Sequence, residues 1–187
     1  MKIGWAFCAS FCTFGRAMNV LRTLAAAGED ITPIFSENAY RNDTRFGKAA
    51  DWVRQAEEIT GKTAWHTFQE VEPIGPKQLL DLLIIAPVTG NTLAKLAQGI
   101  TDTSVTMAAK SHLRNARPLL LSVSTNDGLS GSASNIGALM TRKNIFFVPY
   151  RQDDALAKPA SLIAEMERIP DLLPGVMTGR QPQPLLL

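Results

Sequence analysis

Residues 82–102 read LLIIAPVTGNTLAKLAQGITD, and the fold turns on how this stretch changes character. Residues 82–86 are an unbroken apolar run with no polar face, the pattern of a strand buried on both sides. Pro87, Val88, Thr89, Gly90, Asn91 and Thr92 follow before a helical pattern starts at Leu93. A polar corner of this kind, set between a buried strand and a helix, is where an α/β protein presents backbone and side-chain polar groups to a ligand.

Working outward, the same alternation recurs. Strands are expected at 2–7, 31–35, 82–86, 119–123 and 145–148, and helices near 15–27, 48–60, 92–98, 104–115, 134–141 and 161–172. The central strands are continuous apolar runs, which predicts an α/β fold: a single doubly wound, mainly parallel sheet with helices on both faces. Residues 1–178 form this domain in the expected scheme. The Gln-Pro-Gln-Pro stretch within 179–187 marks a C-terminal tail leaving it.

With 187 residues, 45% of them apolar, the chain is long enough for one packed core. Its 19 basic and 17 acidic residues leave a net charge of +2, and the basic ones are scattered, which argues against a nucleic-acid partner. The chain enters its first strand at Lys2 with no leader pattern, and no apolar stretch reaches the roughly 18 residues that cross a bilayer. The expectation is a soluble cytoplasmic protein without membrane attachment. Cys8 and Cys12 are the only cysteines; they make no disulfide framework, and they lack the further Cys or His ligands of a zinc site, so no metal is expected.

In doubly wound sheets ligands bind outside the carboxyl ends of the strands, where strand order reverses. The first such loop lies in FCASFCTFGRAMNV (7–20) and offers Ser10 and Thr13 ahead of a helix N-terminus, an anion site that needs no charged side chain. It is neither a GxGxxG fingerprint nor a Walker A loop, and an ordinary capped turn is the competing explanation. Ser36, after the second strand, either caps a helix or touches a phosphate. In the third loop Pro87 ends the strand, Gly90 frees the backbone, and Asn91 brings both a donor and an acceptor, unless Asn91 or Thr92 is simply the helix cap. The fourth, SVSTNDGLSGSASN (122–135), is long and rich in small polar residues, as functional loops are.

Taken together, APVTGNTLAKLAQGITD (86–102), Ser36, and the strand at 118–123 running into Ser124-Thr125-Asn126 resemble the flavin-binding proteins that include the peptidyl-cysteine and phosphopantothenoylcysteine decarboxylases and the flavin prenyltransferases. The likeness covers most of residues 2–150. Within that family, NDTRFGKAADW (42–52), EPIGPKQLLDLLIIAPVTGNTLAKLA (72–97), MAAKSHLRNARPLLLSVSTNDGL (107–129) and KNIFFVPYRQDD (143–154) are similar to the dipicolinate synthase B subunits.

The resemblance implies FMN, with Ser10, Thr13 and Ser36 around the ribityl phosphate. Asn91, Ser124, Thr125 and Asn126 would lie beside the isoalloxazine, and Pro87, Thr89 and Thr92 would complete the third-loop contacts. It also implies an A-subunit partner and a role in oxidising dihydrodipicolinate, or its hydroxytetrahydro precursor, to dipicolinate during sporulation. The hydride acceptor is either a flavin here or NAD(P) on the partner. Two alternatives stand beside this oxidoreductase role: a non-catalytic subunit that stabilises the A chain, and a decarboxylase or prenyltransferase of the wider family. The decarboxylases carry a histidine shortly before the third strand, where this chain has Glu72-Pro73-Ile74-Gly75-Pro76, and His66 lies several residues too early. His66 and His112 are therefore expected to be partly exposed structural histidines. No residue is assigned as acid or base.

Because the implied substrate is a small dicarboxylate, the arginines in or beside connections, Arg45, Arg117 and Arg151, are candidates for a substrate or partner contact. For Arg45 the competing explanation is a loop capped onto an amphipathic helix. The helix within TDTSVTMAAKSHL (101–113) is apolar around much of its circumference, which suggests neighbours on more than one side. With the resemblance, whose members complete the flavin site with an adjacent protomer, it leads to an expected trimer or multiple of trimers.

Overall fold

The computed structural model describes residues 1–187. Five strands run parallel: β1 (Lys2–Phe7), β2 (Asp30–Phe35), β3 (Leu82–Val88), β4 (Leu119–Thr125) and β5 (Ile145–Phe147), in the spatial order β2-β1-β3-β4-β5. The chain moves from β1 to β2 on one side and returns to β3 on the other, so strand order reverses between β1 and β3. A crevice opens there by construction.

Each residue of β3 is buried, as are Ile3 to Phe7 of β1 and Leu119 to Ser124 of β4, and this two-sided burial accounts for their unbroken apolar sequences. On one face α1 (Phe14–Ala26) packs with α3 (Ala49–Thr60) and α8 (Ile169–Met177). On the other, α6 (Ser104–Leu113) packs with α4 (Phe68–Val71) and α5 (Gly90–Gln98), and α5 with α7 (Ala133–Met140). A short α2 (Glu37–Arg41) follows β2.

The expected strands and the first five helices recur with small shifts of their ends, and two departures matter, one at the end of a strand and one in the sixth helix. Pro87 does not end its strand: β3 continues through a bulge to Val88, and the Pro87 carbonyl accepts from the Cys8 amide at 3.2 Å. The helix expected at 161–172 is instead a strand, β7 (Lys158–Ala164), followed by a 3-10 turn (Met166–Arg168) and α8. An unforeseen β6 (Tyr150–Asp154) forms an antiparallel hairpin with β7, which pairs Ile163 and Leu162 with Ser124 and Thr125 of β4. The carboxyl end of β4 thus projects beyond β5, and its open edge recruits the hairpin.

The last residues return to the sheet instead of leaving it. Gln181 donates to the Phe147 carbonyl at 2.8 Å and accepts from its amide at 2.9 Å, and Tyr150 bonds Leu185 and Leu187. The apolar circumference of α6 is covered inside the chain by α4, α5, the sheet and the 3-10 turn Glu72–Ile74, so it offers no support for self-association. No helix is long and apolar enough to cross a membrane.

Candidate functional site

A cleft of about 720 Å³ lies over the carboxyl ends of β1, β3 and β4. Three loops from the parallel core and two peripheral segments wall it. The first loop begins at Ala9. Thr13 donates to the Ser10 carbonyl at 3.0 Å, and the Ser10 and Ser124 hydroxyls meet at 2.9 Å, tying the β1 loop to the end of β4. A 3-10 turn (Phe11–Thr13) leads into α1, and the amides of Phe11 and Cys12 donate to no protein acceptor. Unpaired amides at a turn that opens a helix are the setting in which phosphate is held without a cation.

The third loop carries α5 into the cleft. Thr89 is its cap, accepting from the Thr92 amide at 3.3 Å, so neither Asn91 nor Thr92 has that task. This leaves Asn91 free: its exposed side chain and its amide have no partner within the protein. Gly90 sits against a hydroxyl–carboxylate cluster in which its amide donates to Thr125 Oγ1 at 3.2 Å, while Thr125 and Ser132 donate to Asp127 Oδ1 at 2.5 and 2.9 Å. A Cβ on Gly90 would stand 2.5 Å from Ser132 Oγ and 2.6 Å from Asp127 Oδ1. Glycine is required here for close approach, whatever the backbone angles.

Of the expected residues, Ser10, Thr13, Thr89, Asn91, Ser124, Thr125, Asn126 and Arg45 line this one cleft. The others do not reach it. Ser36 caps α2 through a bond from the Ala39 amide, Pro87 is enclosed in β3, and Thr92 is buried behind Thr89. Arg117 stands at the amino end of β4, the opposite end of the sheet, bound to the Leu80 carbonyl and to Asp81. Arg151 pairs with Glu165 at 2.8 Å. Both arginines are thus satisfied within the chain, which charge alone could not reveal.

Phe46, Asp127, Asp153, Lys158 and Leu162 also line the cleft. Asp127 has a visible signal in its Asn-Asp-Gly turn and Asp153 lies within the segment 143–154 that carries the resemblance, whereas Lys158 and Leu162 have none, because their strand reads as a loop and helix in the sequence. No histidine lines the cleft. His112 is buried, not partly exposed; Nε2 donates to the Pro118 carbonyl at 2.9 Å, and burial pushes its pKa down to about 4. His66 is stacked on Tyr40 at 3.7 Å. The segment 72–76 packs against α6, with Gly75 beside the Ser111 carbonyl. Cys8 is enclosed, and burial raises its thiol to about 11, so it is no nucleophile.

Residues 1–177 match the family model described as Flavoprotein. The chain is 40% identical over 186 residues to the dipicolinate synthase B subunit of Bacillus subtilis, covering all of this chain and 93% of that one. The crystal structure of the dipicolinate synthase B subunit from Bacillus halodurans superposes with a TM-score of 0.91 at 37% identity, covering 100% of this chain and 95% of that one. Burkholderia xenovorans DmrB in complex with FMN, described as a cubic protein cage for redox transfer, has a TM-score of 0.69 at 15% identity and covers 95% of each chain; at that identity the likeness is one of fold.

Proposed function

Because the chain belongs to the flavoprotein family, in the branch of the dipicolinate synthase B subunits, we propose that it serves as the FMN-holding B subunit of an oxidoreductase that makes dipicolinate together with an A subunit. The observation that carries this is the set of unpartnered donors around the cleft: the amides of Phe11 and Cys12 at one loop, and the amide and side chain of Asn91 at another. The first set, with Ser10 and Thr13, suits a phosphate. Asn91, with Ser124, Thr125 and Asn126, suits the carbonyl and ring-nitrogen edge of a flavin, since an amide both donates and accepts. The volume is also in the range of cofactor pockets.

A bound flavin supplies a two-electron acceptor. The chain's own residues bind and orient it. The Thr89 cap holds Asn91 at the mouth of α5, and the bonds from Thr125 and Ser132 hold the Asp127 carboxylate under Gly90. No histidine lines the cleft, and its two carboxylates are engaged, Asp127 by the Thr125 and Ser132 hydroxyls and Asp153 by Lys158; we therefore assign proton removal from a dihydropyridine to the A subunit, which also carries any NAD(P) the reaction needs. Self-association in trimers or multiples of trimers fits the cage described for DmrB.

The test is titration of the purified chain with FMN, followed by absorbance. Saturable binding is expected, with Asn91→Ala weaker and still folded; a wild-type chain that binds no flavin under any condition overturns the proposal. The isolated chain should make no dipicolinate, and adding the A subunit should restore synthesis. Full activity of the A subunit alone would instead make this chain a non-catalytic stabiliser.

A further inference from the structure

The loop at 43–48 is exposed but fixed. Thr44 and Gly47 exchange backbone hydrogen bonds at 3.0 and 3.1 Å, the Phe46 amide donates to Thr44 Oγ1 at 3.2 Å, and Asp43 accepts from the Ala49 amide at 2.8 Å, tying the loop to α3. Gly47 has φ +144°, and a Cβ there would stand 2.8 Å from Nε1 and 3.1 Å from Cε2 of the Trp52 indole. The turn therefore lies flat on Trp52, which in turn packs edge-on to the buried Phe14 at 5.6 Å. Only glycine combines that backbone angle with that approach.

What this turn holds in place is a cation beside an aromatic ring, and both line the cleft. The Arg45 guanidinium carbon is 4.9 Å from the centre of the Phe46 ring, and Phe46 is 42% exposed. The cleft's other cation, Lys158, is paired with Asp153 at 2.7 Å, while Asp127 is engaged by the Thr125 and Ser132 hydroxyls. Arg45 has no carboxylate partner in the chain. A half-exposed phenylalanine and an uncompensated guanidinium, both held on a rigid turn, are preorganised for a ligand with matching parts.

Resting on the reading of this cleft as a flavin site, we propose that the turn is its substrate-recognition element and takes a planar ring bearing a carboxylate. Arg45 forks the carboxylate with two N–H donors, and Phe46 offers its face to the ring. Gly47 and Trp52 are positioning residues that set the height of this pair. A pyridine dicarboxylate has the required shape and charge.

The experiment titrates the flavin-loaded protein with pyridine-2,6-dicarboxylate, read by calorimetry, with cyclohexane-1,3-dicarboxylate as a non-planar comparison. The wild type should prefer the planar acid about tenfold, since aromatic stacking contributes on this scale. Arg45→Gln should weaken its binding about tenfold to a hundredfold, the range of a charge-assisted hydrogen-bonded pair. Phe46→Leu should abolish the planar preference, and both variants should keep flavin affinity within about twofold, because neither residue touches the flavin in this proposal.

Unchanged dicarboxylate binding in Arg45→Gln overturns the proposal, as does parallel loss of flavin, which would make the turn part of the flavin site. Lost association with the A subunit at unchanged dicarboxylate affinity also overturns it, in favour of a protein contact. Should the wild type bind no flavin, the flavin reading fails separately, and the same titration on the flavin-free chain still decides the role of Arg45 and Phe46.

Discussion

Two walls of one cleft are built on opposite terms. The loops after β1, β3 and β4 spring from strands whose residues are almost all enclosed, and their polar groups are tied across the sheet by Ser10–Ser124 and Gly90–Thr125 bonds. The β6–β7 hairpin supplies the facing residues Asp153, Lys158 and Leu162, yet most of it is exposed, and Leu156 at its tip is 96% exposed. It is fastened mainly at its base, by two pairs with β4 and by the Glu165–Pro149 bond. Free energy for global folding therefore resides in the first wall, and local opening belongs to the second.

The largest expected effect separates the two directly. Leu121, fully buried at the centre of β4, should cost about 3–4 kcal/mol as Leu121→Ala, since truncation leaves a cavity that the sheet cannot close. Leu156→Ala should change stability by less than ~0.5 kcal/mol. Urea unfolding of both measures this; a Leu156→Ala cost comparable to that of Leu121→Ala would break the division.

Next in size is a pH effect confined to the core. Unfolded His112 titrates near its ordinary 6.5, while burial, opposed only in part by the bond to Pro118, holds the folded value at about 4. Between those values the unfolded chain binds the extra proton, so this contribution is fully present above pH ~6.5 and is lost as pH falls toward 4, a total on the order of 3 kcal/mol. His112→Gln, which keeps an N–H donor, should flatten the stability profile in that window. An unchanged slope would show that His112 is not the group responsible.

Gly90→Ala should fall below these, at about 1–3 kcal/mol, because the added methyl overpacks the Thr125–Asp127–Ser132 cluster. Its effect on flavin affinity should exceed its effect on stability, as α5 carries Asn91 away from its present position. Flavin titration beside urea unfolding separates the two; wild-type flavin affinity in a destabilised variant would disconnect Gly90 from the site.

The same contrast explains what the sequence disclosed. β1, β3 and β4 were legible because burial on both faces demands unbroken apolar runs, and Thr89, Gly90 and Asn91 stood out against them. The hairpin was not legible. Leu162, Ile163, Met166 and Ile169 imitate helical spacing, and only pairing with the projecting end of β4, a long-range event, makes 158–164 a strand. That Arg117 and Arg151 stand outside the cleft was hidden for a related reason: their intrachain partners Asp81 and Glu165 are brought to them by the fold. Arg45 and Phe46 reach the cleft through the packing of Gly47 on Trp52, which residue spacing does not display.

The smallest expected effect tests whether the second wall has an anchor of its own. Arg16 of α1 binds Glu167 through two bonds of 2.6 Å and also reaches the Ala164 carbonyl, joining α1 to the segment that leaves β7. The bond to Arg16 lowers the Glu167 pKa against the opposing cost of burial, and that to Glu167 raises the Arg16 pKa. A depressed carboxylate contributes stability above its ordinary value of 4.5, and that contribution is lost as pH falls through the lower folded value. Both side chains are substantially exposed, so solvent and salt screen the pair, and Glu167→Gln should cost no more than ~1 kcal/mol globally. Its local consequence is sharper. Amide exchange in β6 and β7 should quicken in Glu167→Gln while exchange in β3 stays at the wild-type rate, because the core does not depend on this clamp. Equal acceleration in both would mean that the hairpin and the parallel core open together, and that the two walls are one cooperative unit.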